Sequence, residues 1–157
     1  MKVTGSSVKQ GSGRAPGLPC PAERLVAQRP PMLLAGELQQ RDREGNFSVI
    51  MARVPPAGVF VNRQGRARPE YFVELVAQAM ATVNGYDALA DGGACRRDLL
   101  VGIDRFSWLA GAGAGEELRV EVVKTFEFGP ATVMKGQIFN QAGELLAEGE
   151  IKAWEAS

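Results

Sequence analysis

The chain has 157 residues, 45% of them hydrophobic, which is enough for one domain with a sizeable core. Its 18 basic and 18 acidic residues cancel, so no net field draws it to nucleic acid or an anionic membrane. The sequence has no histidine, which excludes a Ser-His-Asp triad, a histidine-bound metal and histidine acid–base chemistry. Two cysteines, Cys20 and Cys95, without a CxxC motif argue against a zinc site or a disulfide framework.

The N-terminal region predicts an arm that precedes the folded domain. Residues 1–22 are rich in Gly, Ser, Pro and Lys and lack periodicity, so we expect a flexible arm before a domain over residues 23–157. This arm lacks the apolar segment of a secretory signal, and no apolar run approaches the ~20 residues that span a bilayer. We therefore expect a cytoplasmic protein with reduced thiols, no metal and no cofactor.

A hairpin and a loop follow. After a short amphipathic turn, MLLAGELQQR (32–41) and NFSVIMARV (46–54) predict two strands joined by a tight turn at residues 42–45. The segment PPAGVFVNRQGRAR (55–68) predicts a loop, because proline, glycine and arginine dominate it.

The segment PEYFVELVAQAMATVNGY (69–86) predicts the helix of the domain. Pro69 suits the first helical position, Glu70 in the first turn complements the helix dipole, and Asn84-Gly85 predicts the C-terminal end. Nearly every residue between these signals is apolar, so we expect a helix that is buried on most sides, with its tyrosine and phenylalanine residues in the core.

Four further segments predict strands. Apolar residues alternate with polar ones in the second of them, which is typical of an antiparallel strand with one wet face. A long antiparallel sheet that wraps one central helix would bury that helix, so we predict an α+β fold of this kind. The four segments are DLLVGIDRFSWL (98–109), EELRVEVVKTFEF (116–128), ATVMKGQIFN (131–140) and ELLAEGEIKAW (144–154).

The polar residues of the predicted helix recur at every fourth position. Glu70, Glu74, Gln78 and Thr82 therefore form one stripe along the helix. A carboxylate one turn into such an apolar helix is costly to bury unless it is paired or functional. We interpret Glu74 as a candidate acid or base and Gln78 as an amide that orients the carboxyl group or a water. The alternative is that the stripe faces solvent or a subunit interface.

Three arginines precede the helix. Arg63, Arg66 and Arg68 lie close to its N-terminus, a combination that suits a phosphate or an acidic partner surface. The alternative is a solvated basic loop. The glycine spacings of the chain fit no phosphate-binding loop, so no nucleotide site is predicted.

Four blocks of the sequence carry a resemblance to a known family. They are QRPPMLL (28–34), FVELVAQAMA (72–81), VGIDRFSW (101–108) and the closing GELLAEGEIKAW (143–154). In order and spacing, over residues 25–154, they resemble the hotdog-fold β-hydroxyacyl-acyl carrier protein dehydratases, and most of all the branch that acts in aryl polyene biosynthesis. The resemblance implies a hotdog dimer with active sites at the interface and a channel for an acyl thioester of acyl carrier protein or coenzyme A.

The resemblance also implies a chemistry. Family members remove water from a 3-hydroxyacyl thioester with a histidine and a helix carboxylate. The positions of the motif assign the carboxylate to Glu74 and the neighbouring amide to Gln78. The histidine has no counterpart: Phe60 falls about where many dehydratases have it, and Gln28 replaces the histidine before the Pro-Pro pair.

A second departure concerns the backbone donors for the thioester carbonyl. The family often has a glycine near the helix start, whereas this chain has Pro69, which lacks an N–H. The N–H groups of Glu70 or Tyr71 are the expected substitutes, because early helical N–H groups have no partner within the helix.

Three functions follow from these observations. The first is a dehydratase-like protein that binds acyl thioesters, of reduced or no activity, in which Gln28, Asn62 or Gln64 positions substrate or water. The second is a thioesterase that uses Glu74 as base or nucleophile, with an amide such as Gln78 holding water. The third is a non-catalytic subunit that pairs with an active hotdog relative or binds an acidic carrier protein through the three arginines. We rank the first highest.

Overall fold

The computed structural model describes residues 15–94 and 98–155, without the side chains of 98–101 and 155. The predicted order of two strands, one helix and four strands is confirmed, with a two-residue strand added before it. The elements are β1 (Cys20–Pro21), a 3-10 turn (Ala22–Arg24), β2 (Ala35–Asp42), β3 (Phe47–Arg53), α1 (Pro69–Ala90), β4 (Asp98–Trp108), β5 (Glu117–Phe128), β6 (Ala131–Asn140) and β7 (Leu145–Glu155).

The arm predicted over residues 1–22 falls mostly on residues outside the described part of the chain. Within it, Cys20 and Pro21 pair with Leu38 and Glu37 of β2. Cys20 is buried, and Cys95 lies outside the described residues.

The strands form one antiparallel sheet in the order β1-β2-β3-β5-β6-β7-β4. Its register aligns apolar residues across the strands: Ile50 pairs with Val120, Val120 with Ile138, and Ile138 with Ala147. All four are fully buried, so this row lies on the face that packs against α1. The neighbouring Arg119 is exposed, which confirms the predicted alternation of buried and wet positions in β5.

The helix is buried, as predicted. Tyr71 and Phe72 belong to the core, and one pair shows how close the sheet comes to α1: a Cβ added at Gly136 of β6 would lie 2.6 Å from a methyl carbon of Val76. Glycine at 136 therefore allows the sheet to close on the helix. No helix in the described part of the chain is long and apolar enough to cross a membrane.

The predicted end of the helix was wrong. Asn84 and Gly85 do not end α1, which continues to Ala90. Gly85 is inside the helix because any Cβ there would collide with the carbonyl oxygen of Leu25, so glycine allows close packing rather than a C-terminal cap. The cap lies further on, at Gly92, where φ is +85° and the backbone N–H bonds to Leu89 O at 3.1 Å.

Candidate functional site

A cleft of about 450 Å³ opens beside the N-terminal part of α1. Two carboxylates and two aromatic rings dominate its lining, and none of the residues that line it is basic. Carboxylates between aromatic faces favour a cationic or apolar occupant over an anion. The lining residues are Phe60, Pro69, Glu70, Val73, Glu74 and Trp108.

Glu74 is held by an amide and not by a cation. Gln78 Nε2 donates a hydrogen bond to Glu74 Oε2 at 2.8 Å, over one turn of the helix. Glu74 takes part in no salt bridge within the described residues. A neutral donor therefore orients the carboxyl group without an ion pair.

Gln78 uses both ends of its amide to connect α1 to the segment before β2. Its Oε1 accepts the N–H groups of Leu34 and Ala35 at 2.6 and 3.2 Å, and its Nε2 donates to Met32 O at 2.8 Å as well as to Glu74. All four hydrogen-bonding positions of the amide are filled. Gln78 therefore positions Glu74, and its amide has no capacity left for a substrate or water.

The polar stripe divides into two parts. Glu70 is exposed at the helix start and Glu74 is partly buried, whereas Gln78 and Thr82 are buried. Thr82 Oγ1 donates to the Gln78 carbonyl oxygen at 2.7 Å. The alternative of a stripe that faces solvent is therefore wrong for its second half.

Aromatic residues form the walls of the cleft. Phe60, predicted about where many relatives have the histidine, does line it. Trp108, which sequence reasoning did not single out, forms another wall, and its Nε1–H donates to Pro69 O at 3.0 Å. The signal for Trp108 was its place at the end of the VGIDRFSW block, but only the fold brings β4 beside the start of α1.

Tyr71 lies beneath this cleft in the core. Its backbone N–H donates to Arg68 O at 2.9 Å, so it is engaged, whereas the Glu70 N–H has no acceptor within the described part of the chain. The Tyr71 hydroxyl is buried without a hydrogen-bond partner among the described residues, and burial raises the pKa of the phenol. Such an unsatisfied group costs about 1–3 kcal/mol.

Two of the predicted substrate-binding residues do not reach the cleft. Asn62 Oδ1 accepts the N–H groups of Gln64 and Arg66 at 3.0 and 2.9 Å, so this amide shapes its own loop. Gln28 is partly buried, and its carbonyl oxygen accepts Arg29 Nη1 at 2.7 Å. Neither lines the cleft with Glu74 in the described structure.

The three arginines share the loop before α1 and are all exposed, but their contacts differ. Arg66 connects its loop to the segment before β5, because its backbone forms a β-bridge with Gly113. Its guanidinium lies close to Gly111: a Cβ added at that glycine would be 2.8 Å from Arg66 Nη2. The glycines of GAGAG therefore make room for this side chain, which explains a motif that fitted no phosphate-binding loop.

Comparison with known proteins identifies similar sequences and folds. A family model described as "ApeP-like: ApeP dehydratase" matches residues 20–157. The chain is similar to a chain of the dehydratase heterocomplex ApeI:P from Xenorhabdus doucetiae, with a TM-score of 0.78, 19% identity, and coverage of 87% of this chain and 91% of that chain. No curated protein sequence matches it.

Thioesterases have a similar fold. A hypothetical thioesterase protein with coenzyme A from Streptococcus pneumoniae TIGR4 superposes with a TM-score of 0.60, at 16% identity over 77% of this chain and 85% of that chain. The PaaI protein from the E. coli phenylacetic acid degradation operon gives 0.56, at 17% identity over 74% and 80%. The predicted hotdog fold is thereby confirmed.

Proposed function

The chain belongs to the ApeP-like dehydratase family, and from this premise we propose that it is the carboxylate-bearing subunit of a 3-hydroxyacyl thioester dehydratase whose base comes from a second hotdog subunit. The observation that carries the proposal is the Glu74 carboxyl group, oriented by Gln78 in an aromatic-walled cleft. The reaction would belong to cytoplasmic fatty acid or polyene biosynthesis.

The elimination needs one acid and one base. A base removes the proton from carbon 2, the electron pair forms the double bond between carbons 2 and 3, and protonated Glu74 donates its proton to the hydroxyl that leaves carbon 3 as water. The Glu70 N–H is placed to bind the thioester oxygen, because it has no partner within the described residues. The base cannot be a histidine of this chain, because the sequence has none.

The cleft has features that favour completion by a partner. Large apolar side chains are exposed at its wall residue Trp108 (50%) and at the sequence neighbours of its walls, Val59 (70%) and Leu109 (57%). Such exposed side chains are typical of a surface that another subunit covers. Inside, the Glu70 carboxylate and the aromatic rings would stabilise an imidazolium of the partner as it takes up the substrate proton.

The sheet offers a place for that partner. β4, which ends at Trp108, is one of the two edge strands of the sheet, and an unpaired edge is a template for strands of another chain. A partner paired there would lie next to the cleft. The complex of the similar Xenorhabdus doucetiae chain is a dehydratase heterocomplex, which supports a heterodimer over a homodimer for this chain.

We assign two of the three exposed arginines to the carrier. Arg63 and Arg68 precede α1, with Arg68 next to the cleft residue Pro69, and acidic acyl carrier protein would meet a basic surface there. Arg66 instead bridges this loop to Gly113.

A single-turnover assay by mass spectrometry tests the proposal. The purified chain, alone and with the hotdog subunit that co-purifies with it, is mixed with 3-hydroxyoctanoyl carrier protein. We expect the substrate to lose one water in the complex and to lose it far more slowly with the chain alone. The matched control is Glu74→Gln, which keeps the Gln78 contact but cannot donate the proton. A complex that dehydrates normally with Glu74→Gln would contradict the assignment.

Thioester hydrolysis is the second candidate, because Glu74 beside an amide needs no imidazole. Glu74 would then act as general base, taking a proton from a water that attacks the thioester carbonyl. The same assay distinguishes the two reactions, since hydrolysis releases the free thiol of the carrier and leaves no enoyl product.

A further inference from the structure

The hydroxyl of Tyr71 is a polar atom in the hydrophobic core with nothing to bind. The side chain is fully buried, and its oxygen has no hydrogen-bond partner among the described residues. Buried polar groups are nearly always hydrogen-bonded, because water satisfies them before the chain folds. A phenylalanine would fill nearly the same volume without this cost, so the hydroxyl indicates a partner from outside the chain.

Tyr71 is next to the cleft that contains Glu74. The two residues are one turn apart on neighbouring sides of α1. The ring of Phe60, one wall of the cleft, makes an edge contact with the ring of Tyr71 at a centroid distance of 6.2 Å. Phe60 lies on a loop and is only partly buried, so a rotamer change of this one side chain would connect the cleft to Tyr71.

We propose that Tyr71 is a specificity-determining residue whose hydroxyl donates a hydrogen bond to an oxygen on the acyl chain, beyond the 3-hydroxyl group, when Phe60 has turned aside. This rests on the proposed function, because the cleft must admit an acyl thioester. The substrates are then acyl chains with a further hydroxyl, ether or carbonyl oxygen. A plain hydrocarbon chain would leave the donor unpaired, which is how a polar site rejects a substrate that lacks the matching group.

The protonation state of Tyr71 agrees with a donor role. Burial raises the pKa of its phenol, so the proton stays on the oxygen near neutral pH. The hydroxyl can donate but cannot act as the missing base.

Binding of matched ligands tests the proposal. Calorimetry compares octanoyl-coenzyme A with isomers that carry a hydroxyl on carbon 5, 6, 7 or 8, using the full chain with any hotdog subunit that co-purifies. We expect the wild type to bind at least one hydroxylated isomer about tenfold more tightly than octanoyl-coenzyme A. Tyr71→Phe should bring this ratio to about one.

The chain supplies its own control. Tyr86 is its other tyrosine, on the same helix, and its hydroxyl donates to Pro16 O at 3.4 Å. Tyr86→Phe should therefore keep the preference for the hydroxylated ligand. Thermal unfolding verifies that both variants fold.

Two results would overturn the role of Tyr71. One is equal affinity of the wild type for all ligands, which is expected if the hydroxyl binds only an internal water. The other is a preference for the hydroxylated ligand that survives Tyr71→Phe. Failure of every thioester to bind is a different outcome, since it would contradict the proposed function itself.

Discussion

Two carboxylates of helix α1, Glu74 and Asp87, lie toward its opposite ends, and their surroundings differ sharply. Asp87 accepts Arg41 Nε at 2.9 Å and Nη2 at 2.7 Å, and Lys124 Nζ lies 3.4 Å away. The Arg41 and Lys124 side chains are only 2% and 6% exposed. Glu74 instead accepts a hydrogen bond from the neutral amide of Gln78 and lines the cleft. A carboxylate enclosed by buried cations stabilises the fold, because its removal leaves those cations without a counter-charge, whereas one held by a neutral amide at a cleft is accessible to a ligand.

The largest expected effect is on the reaction rate, through Glu74, the carboxylate that we propose to be catalytic. Glu74→Gln should lower the rate of water loss by about 10²–10⁴-fold, because it removes a general acid, and should leave the free energy of unfolding nearly unchanged. Single-turnover rates and urea denaturation measure the two effects. A large loss of stability would mean that Glu74 is a structural residue like Asp87.

Asp87→Asn should lower the stability of the fold and leave the reaction rate unchanged. It leaves Arg41 buried without its counter-charge and Lys124 with only Glu127, so we expect the free energy of unfolding to fall by about 3–5 kcal/mol. The single-turnover rate per folded molecule should be unchanged, since Asp87 does not line the cleft. Urea denaturation gives the first quantity, and a rate that falls with the stability would contradict the division between the two carboxylates.

Gln78→Met should affect both properties. The variant leaves the buried N–H groups of Leu34 and Ala35 without their acceptor and Glu74 without its donor. We expect a loss of about 1–3 kcal/mol in the free energy of unfolding, and a lower dehydration rate in the molecules that remain folded. Thr82→Val, which removes only a hydrogen bond within the helix, is the matched control and should spare the rate.

The smallest expected effect concerns the exposed salt bridge between Arg43 and Asp91, which lies beside Asp87. The hydrogen bond from Arg43 lowers the pKa of Asp91 from 3.8, so the pair stabilises the folded chain above that pH. This contribution is lost as pH falls through the lower folded-state pKa. Asp91→Asn should cost no more than about 1 kcal/mol at neutral pH, because the side chain is 62% exposed. Urea denaturation at pH 7 and pH 2.5 should show the difference from wild type disappearing at the lower pH.

Local patterns in the sequence predicted the architecture well. The apolar surround of α1 predicted its burial, and the alternation in β5 predicted a sheet with one wet face. The prediction of the helix end failed because Asn84-Gly85 is compatible with two structures. It can form a C-terminal cap, or its glycine can let another segment pack closely against a continuing helix. Only the position of Leu25 against the helix decides between them.

The candidate site was predictable in part. The four-residue spacing identified Glu74 and Gln78 as neighbours, since that relation is internal to one helix. The position of Trp108 beside the start of α1 depends on how a distant strand meets the helix, which no local pattern encodes. Asn62, by contrast, bonds within its own loop, a local role that its neighbours in sequence could have indicated.

The sequence by itself determined the secondary-structure order, the polar stripe and the lack of an imidazole, because each is a property of residue type and spacing. Tertiary structure alone decided which polar groups bind across long stretches of sequence. Gln78 meets Leu34 and Ala35 across 44 and 43 residues, and Asp87 meets Arg41 across 46. Such partners are chosen by the packing of the sheet around the helix, so the different surroundings of Glu74 and Asp87 are visible only in the folded chain.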